Sequence, residues 1–150
     1  MIVKKLLCGF ALSALSAVAM ADLEPYSDYD ISDAIWSVTT VKVDANMGDA
    51  YLEGLEKTWA ASNKVAQDLC QIEEWRIFRS MTPNSGDFNL LLVVKFADTD
   101  DLAPNKAEYD KFMAEWGEQR NQQSTEIAQK EYPKMREITG DYLLREITLK

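Results

Sequence analysis

The 150 residues contain no histidine, two cysteines, four prolines and six glycines, and 16 basic residues stand against 25 acidic ones. The missing histidine removes the commonest general acid–base, the commonest metal ligand and the usual haem ligand. Ser-His-Asp and Cys-His arrangements are impossible, and so is an imidazole-bearing zinc site. A net charge of −9 repels phosphate backbones and anionic lipid, so nucleic acid is not an expected partner. No Gly/Ser linker, internal repeat or low-complexity segment divides the chain.

What is there begins with Lys4 and Lys5, followed by an uncharged, largely apolar run over 6–20. Ala19-Met20-Ala21 places small residues where a signal peptidase reads, and Asp22 opens a polar stretch. This is the layout of a secretory signal peptide. The run of 15 residues is shorter than the roughly 20 a spanning helix needs. Cleavage after Ala21 is expected, giving a periplasmic or secreted protein with no membrane attachment. The remaining 129 residues keep 14 basic and 25 acidic side chains, a net charge of −11. Cys8 leaves with the signal, so Cys70 has no partner for an internal disulfide and the core must hold the fold. Cys70 ends an apolar helix face and is read as a buried, inert thiol.

Three segments are expected: the signal over 1–21, an extended acidic arm over 22–34, and one domain over 35–150. Within the domain, 35–43 is dense in β-branched residues and reads as a strand. Asn46 is the expected N-cap of a helix over 48–69. Its face is Leu52, Leu55, Trp59, Ser62, Ala66 and Leu69, widened by Tyr51 and Val65. Gly54 within it implies close packing. A second strand over 74–81 and a third over 88–97 flank Pro83-Asn84-Ser85-Gly86-Asp87, which reads as a hairpin turn. A helix follows Asp98, Asp100 and Asp101 and extends to Tyr132, where Pro133 stops it. Its aromatics Tyr109, Phe112 and Trp116 read as core, as does Trp59. The sparse distal half over 122–130 projects or meets a partner. Thr139-Gly140-Asp141 then reads as a turn into a last strand over 142–149. The order β-α-β-β-α-β specifies a ferredoxin-like α+β sandwich with a four-stranded antiparallel sheet.

The helices cover one sheet face. Alternation assigns Ile35, Val41, Val43, Trp75, Ile77, Phe88, Leu90, Leu92, Val94 and Phe96 to it. The last strand is ambiguous. The other face is mixed, with Trp36, Val38, Thr40, Lys42, Arg76, Phe78, Leu91 and Val93. That much apolar surface asks for cover, and a second subunit can supply it. The residues chosen for ligand binding are Trp36, Thr40, Lys42, Arg76 and Phe78. Arg76 with Lys42 could clamp an anion; alternatively Arg76 pairs with Glu74. Asp98, Asp100 and Asp101, or Asp28 and Asp30, could hold a hard cation, but capping and solvation account for both groups. Neither a metal nor a cofactor is expected.

The element order, the helix start around Gly48, and Val94-Lys95-Phe96-Ala97-Asp98 followed by Leu102 and Trp116 resemble the dimeric α/β-barrel superfamily. The NIPSNAP-like and antibiotic-biosynthesis-monooxygenase-like families are the most similar branches. The resemblance covers about 35–150. It implies a homodimer whose paired sheets form a barrel, with a small apolar ligand inside it or between sheet and helices. It also implies cofactor-free oxygenation, cyclisation, isomerisation or haem breakdown, of which the branches that use a histidine are excluded. Three functions follow: an exported module binding a small apolar or aromatic molecule; a cofactor-free monooxygenase- or isomerase-like enzyme using Trp36, Arg76 and Lys42; or a structural interaction protein. No catalytic residue is assigned.

Overall fold

The computed structural model describes residues 22–82 and 86–150. The expected signal peptide lies outside the described residues, as do Pro83, Asn84 and Ser85 of the expected turn. Four strands form the main sheet: β2 (Ile35–Val43), β3 (Glu74–Arg79), β4 (Leu90–Phe96) and β5 (Arg136–Leu144), in the order β3-β4-β2-β5. All three pairings are antiparallel. The topology is ferredoxin-like, and the most apolar strand, β4, is central as its sequence requires. Two short strands, β1 (Tyr29–Ile31) and β6 (Ile147–Leu149), pair separately. The acidic arm therefore carries a strand that meets the chain's last residues, and Lys150 Nζ stands 2.9 Å from an Asp30 carboxylate oxygen.

The first helical stretch is α1 (Gly48–Leu55), a π-helical turn (Glu56–Ala60) and α2 (Ala61–Asp68). Asn46 is not its N-cap. It takes φ 64°, a left-handed turn that asparagine tolerates, and Met47 holds the cap position. The π turn inserts one residue and changes which side chains face the sheet. Tyr51, Leu55 and Thr58 are buried, whereas Leu52 and Trp59 pack at the margin of the core.

The second helical stretch differs most from expectation. The acids at 98–101 do not start it. Asp98 Oδ1 accepts from Asp100 N at 2.7 Å and Asp101 Oδ2 from Ala97 N at 3.0 Å, closing a loop. Helix α3 (Lys106–Trp116) begins instead at Asn105, whose side chain accepts from the amides of Ala107 and Glu108. Gly117 at φ 81° breaks it before α4 (Glu118–Lys130). The distal half does not project: Ile127 packs on the core, followed by buried Tyr132. Tyr109 is solvent-exposed, while Trp116 is buried.

Thr139-Gly140-Asp141 is not a turn but the middle of β5. Thr40 pairs with Gly140 and Val41 with Ile138, so Thr139 is an extra, bulged residue. The ring of Tyr142 lies over Gly140, where an added Cβ would stand 2.8 Å from it. The aromatic covers the glycine gap that made this segment read as a loop. Cys70 is exposed, not buried. It sits at φ 57° beyond α2, with its amide on Gln67 O and the Gln71 amide on Ala66 O, the place usually held by glycine. Among the described residues, no helix is long and apolar enough to cross a membrane.

Candidate functional site

Register fixes the faces. Val41, Val43, Leu90 and Leu92 lie beneath the helices with Tyr51, Leu55 and Tyr132, and form the buried core. Between this face and the helices is a cavity of about 350 Å³, whose lining includes Val41, Tyr51, Leu55, Thr58, Trp59 and Leu92. Arg136, Ile138 and Asp141 of β5 also line it. Small side chains on α4, Ser124 and Ala128, complete its wall. Ligand cavities have this make-up, apolar walls with a few converging polar groups, and begin at about 300 Å³.

The polar groups are ordered by packing. The Tyr51 and Tyr132 rings meet edge to face at 5.0 Å. Tyr132 fills the space left by Gly54, whose added Cβ would approach its ring to 2.8 Å, so the close packing expected there is present. Thr58 Oγ1 donates to Gly54 O at 2.9 Å. Its one hydrogen is used, so the hydrogen bond to Tyr132 has the phenol as donor. The Arg136 guanidinium lies 5.4 Å from the Tyr132 ring centroid. Among the described residues, buried Arg136 Nε has no hydrogen-bond partner. A buried donor without an acceptor costs about 1–3 kcal/mol, more when charged. Burial pushes the Tyr51 hydroxyl above its ordinary value near 10, with Arg136 partly opposing. Burial also raises Tyr132, opposed by its bond to Thr58 and by Arg136. Both phenols are therefore protonated at neutral pH.

The five residues chosen from sequence lie on the opposite, open face. Trp36, Thr40 and Lys42 alternate along β2, and Arg76 and Phe78 stand two strands away on β3. Arg76 aligns with Val38 through Val93, four residues from Lys42 along β2 or about 13 Å. The two cations are thus not brought together. Arg76 Nη2 bonds Glu74 at 2.8 Å, the ion-pair alternative, and Lys42 Nζ bonds Gly86 O at 2.5 Å. Thr40 is buried, with its hydroxyl 2.8 Å from that of Thr139. Trp36 faces Lys95 at 5.6 Å, and Lys95 pairs with Glu73 at 2.6 Å. That carboxylate holds the Lys95 ammonium above its usual range.

The middle of the open face is apolar: Trp36, Val38, Phe78, Leu91, Val93, Tyr142 and Leu144, with charges at its margins. Phe78, Tyr142 and Leu144 are 48%, 52% and 48% exposed. No group of three or more metal-ligating side chains is assembled among the described residues.

Sequence reasoning did not choose Tyr51, Thr58, Tyr132 or Arg136 as a site. Tyr51 and Thr58 share a helix face seven residues apart, which carries a weak signal. Nothing local announces that Tyr132 and Arg136 close on them.

No protein-family model matches the chain, and no curated protein matches it. Among solved structures it is similar to HapK from Hahella chejuensis, at 12% identity and TM-score 0.44, covering 75% of this chain and 91% of that one. It is also similar to protein SO0527 from Shewanella oneidensis, at 14% identity and TM-score 0.44, covering 80% and 98%. A dimeric protein of unknown function with a ferredoxin-like fold from Bacteroides fragilis matches at 13% identity and TM-score 0.42, covering 81% and 100%.

Proposed function

We propose that this chain is an exported, homodimeric α/β-barrel protein of the NIPSNAP-like or antibiotic-biosynthesis-monooxygenase-like type that binds a small apolar or aromatic molecule. The cavity beneath the helices carries this reading, because it is a solvent-open cleft of about 350 Å³ with aromatic walls, within the size range of small-molecule pockets. The binding site in this reading is that cavity, not the five residues of the open face. The second copy covers the open face, sheet on sheet. The support for that is Phe78, Tyr142 and Leu144, three large apolar side chains about half exposed on one sheet surface. Export rests on the layout of residues 1–21.

Native mass spectrometry of the full chain expressed in a bacterial host and released from the periplasm tests all three parts. The expected species lacks residues 1–21, has twice the subunit mass and carries a small molecule that organic extraction releases. An uncleaved monomer with no extractable compound sinks the proposal.

A further inference from the structure

We infer that the cavity beneath the helices takes a monocarboxylate, an apolar body with one anionic head, and that Arg136 is the counter-ion of that head. This rests on the proposal that the cavity binds a small molecule, and it names the chemical class.

Arg136 is positioned by register. It stands opposite Val43 at the start of β5, on the helix side of the sheet. Among the described residues, no carboxylate pairs with its guanidinium, whereas Arg76 and Lys95 have carboxylates at 2.8 and 2.6 Å. Its Nε is shut away from solvent without an acceptor. A buried guanidinium nitrogen that is left unpaired is out of keeping with native polar groups, which are almost always satisfied. A carboxylate supplied from outside satisfies it, because the guanidinium fork matches that group in plane and spacing.

The rest of the lining narrows the class. Asp141 is the other charged residue there, and Thr39 Oγ1 already donates to it at 2.7 Å. One cation that no carboxylate neutralises, its guanidinium also reaching the Tyr51 hydroxyl, suits a single negative charge and disfavours a dianion such as a phosphate monoester. The Tyr132 hydrogen is committed to Thr58. Tyr51 remains as a neutral phenol that can donate a second hydrogen bond. Val41, Leu55, Trp59, Leu92 and Ile138 surround the remaining volume with apolar surface, so the body of the ligand is hydrocarbon or aromatic.

The test titrates the mature protein, residues 22–150, by calorimetry with 1-naphthoate and with its neutral counterpart 1-naphthamide. Tryptophan fluorescence is followed in parallel to report on Trp59. Wild type is expected to bind the carboxylate at least tenfold more tightly than the amide. Arg136→Gln removes that preference, and the cavity-filling Ser124→Phe abolishes binding of both probes. If Arg136→Gln does not fold by circular dichroism, wild type and Ser124→Phe decide: a carboxylate preference lost on filling the cavity supports the inference. Equal binding of the two probes to wild type, or a preference that survives Arg136→Gln or Ser124→Phe, overturns it. Equal binding that Ser124→Phe abolishes leaves the cavity standing as a neutral site. Failure of both probes to bind overturns the inference and the binding proposal together.

Discussion

Three glycine or glycine-like positions show how local geometry decides the sign of a substitution. At Gly54, alanine gains about 1 kcal/mol of helix propensity. Its Cβ meets the buried Tyr132 ring at 2.8 Å, however, and overpacking costs about 1–3 kcal/mol. Gly54→Ala is therefore expected to lower stability in urea unfolding. Gly140 has an equally close neighbour, but Tyr142 is half exposed and can swing aside, so Gly140→Ala is expected to cost less than Gly54→Ala in the same assay. Cys70 shows the reverse case. An L-residue held at φ 57° carries strain of about 1–2 kcal/mol. Cys70→Gly relieves it at some cost in unfolded-state entropy, and a small rise in denaturation midpoint is expected. Tyr51 supplies the pH dependence. Its folded pKa lies above the unfolded value near 10, mainly through burial. Its contribution to stability is thus complete below about pH 10 and is lost as pH rises through the folded value. Thermal melts between pH 9 and 11 should show a steeper loss for wild type than for Tyr51→Phe.

At the scale of elements, Gly117 is the hinge of the second helical stretch. Its φ of 81° and ψ of 143° belong to a region that L-residues occupy at about 1–3 kcal/mol. Gly117→Ala should destabilise by that order in the same urea assay, although nothing crowds the position. The order of the main strands and helices was legible in the sequence because β-branched density and helical spacing report burial directly. The Leu90–Phe96 run identified a central strand, and alternation sorted the faces of β2, β3 and β4. The break at Gly117 was not legible, since one glycine between two polar helical segments carries no pattern of its own. The last strand was misplaced for a different reason. Gly140 lost its turn character to its long-range pairing with Thr40, with the Tyr142 ring two residues on covering it, and the bulge at Thr139 shifted the alternation on which face assignment depends. The candidate cavity was hidden because Arg136 and Tyr51 lie on distant elements, and their meeting follows from strand register.

For the whole molecule, the open face sets the expected assembly. Leu144→Lys places a charge beside Trp36, Val38 and Tyr142 without touching the buried core. If two sheets meet there, the variant sediments as a folded monomer while wild type sediments as a dimer. Wild type that is monomeric at tens of micromolar removes the barrel reading, and the cavity then stands as a feature of a single subunit.

The π-helical turn between Leu55 and Ala61 has a consequence for chain length. One residue fewer there would restore an unbroken α-helix and leave α1 and α2 in their present places. Thr58 would turn by about 100° about the axis, away from the Tyr132 hydroxyl that it now holds. The polar end of the cavity therefore belongs to the longer of the two lengths. Differences in this site are thus to be sought in a single-residue insertion or deletion as much as in substitutions. Deleting exposed Lys57 should retain the helical circular dichroism of the protein while changing how Tyr132 is held.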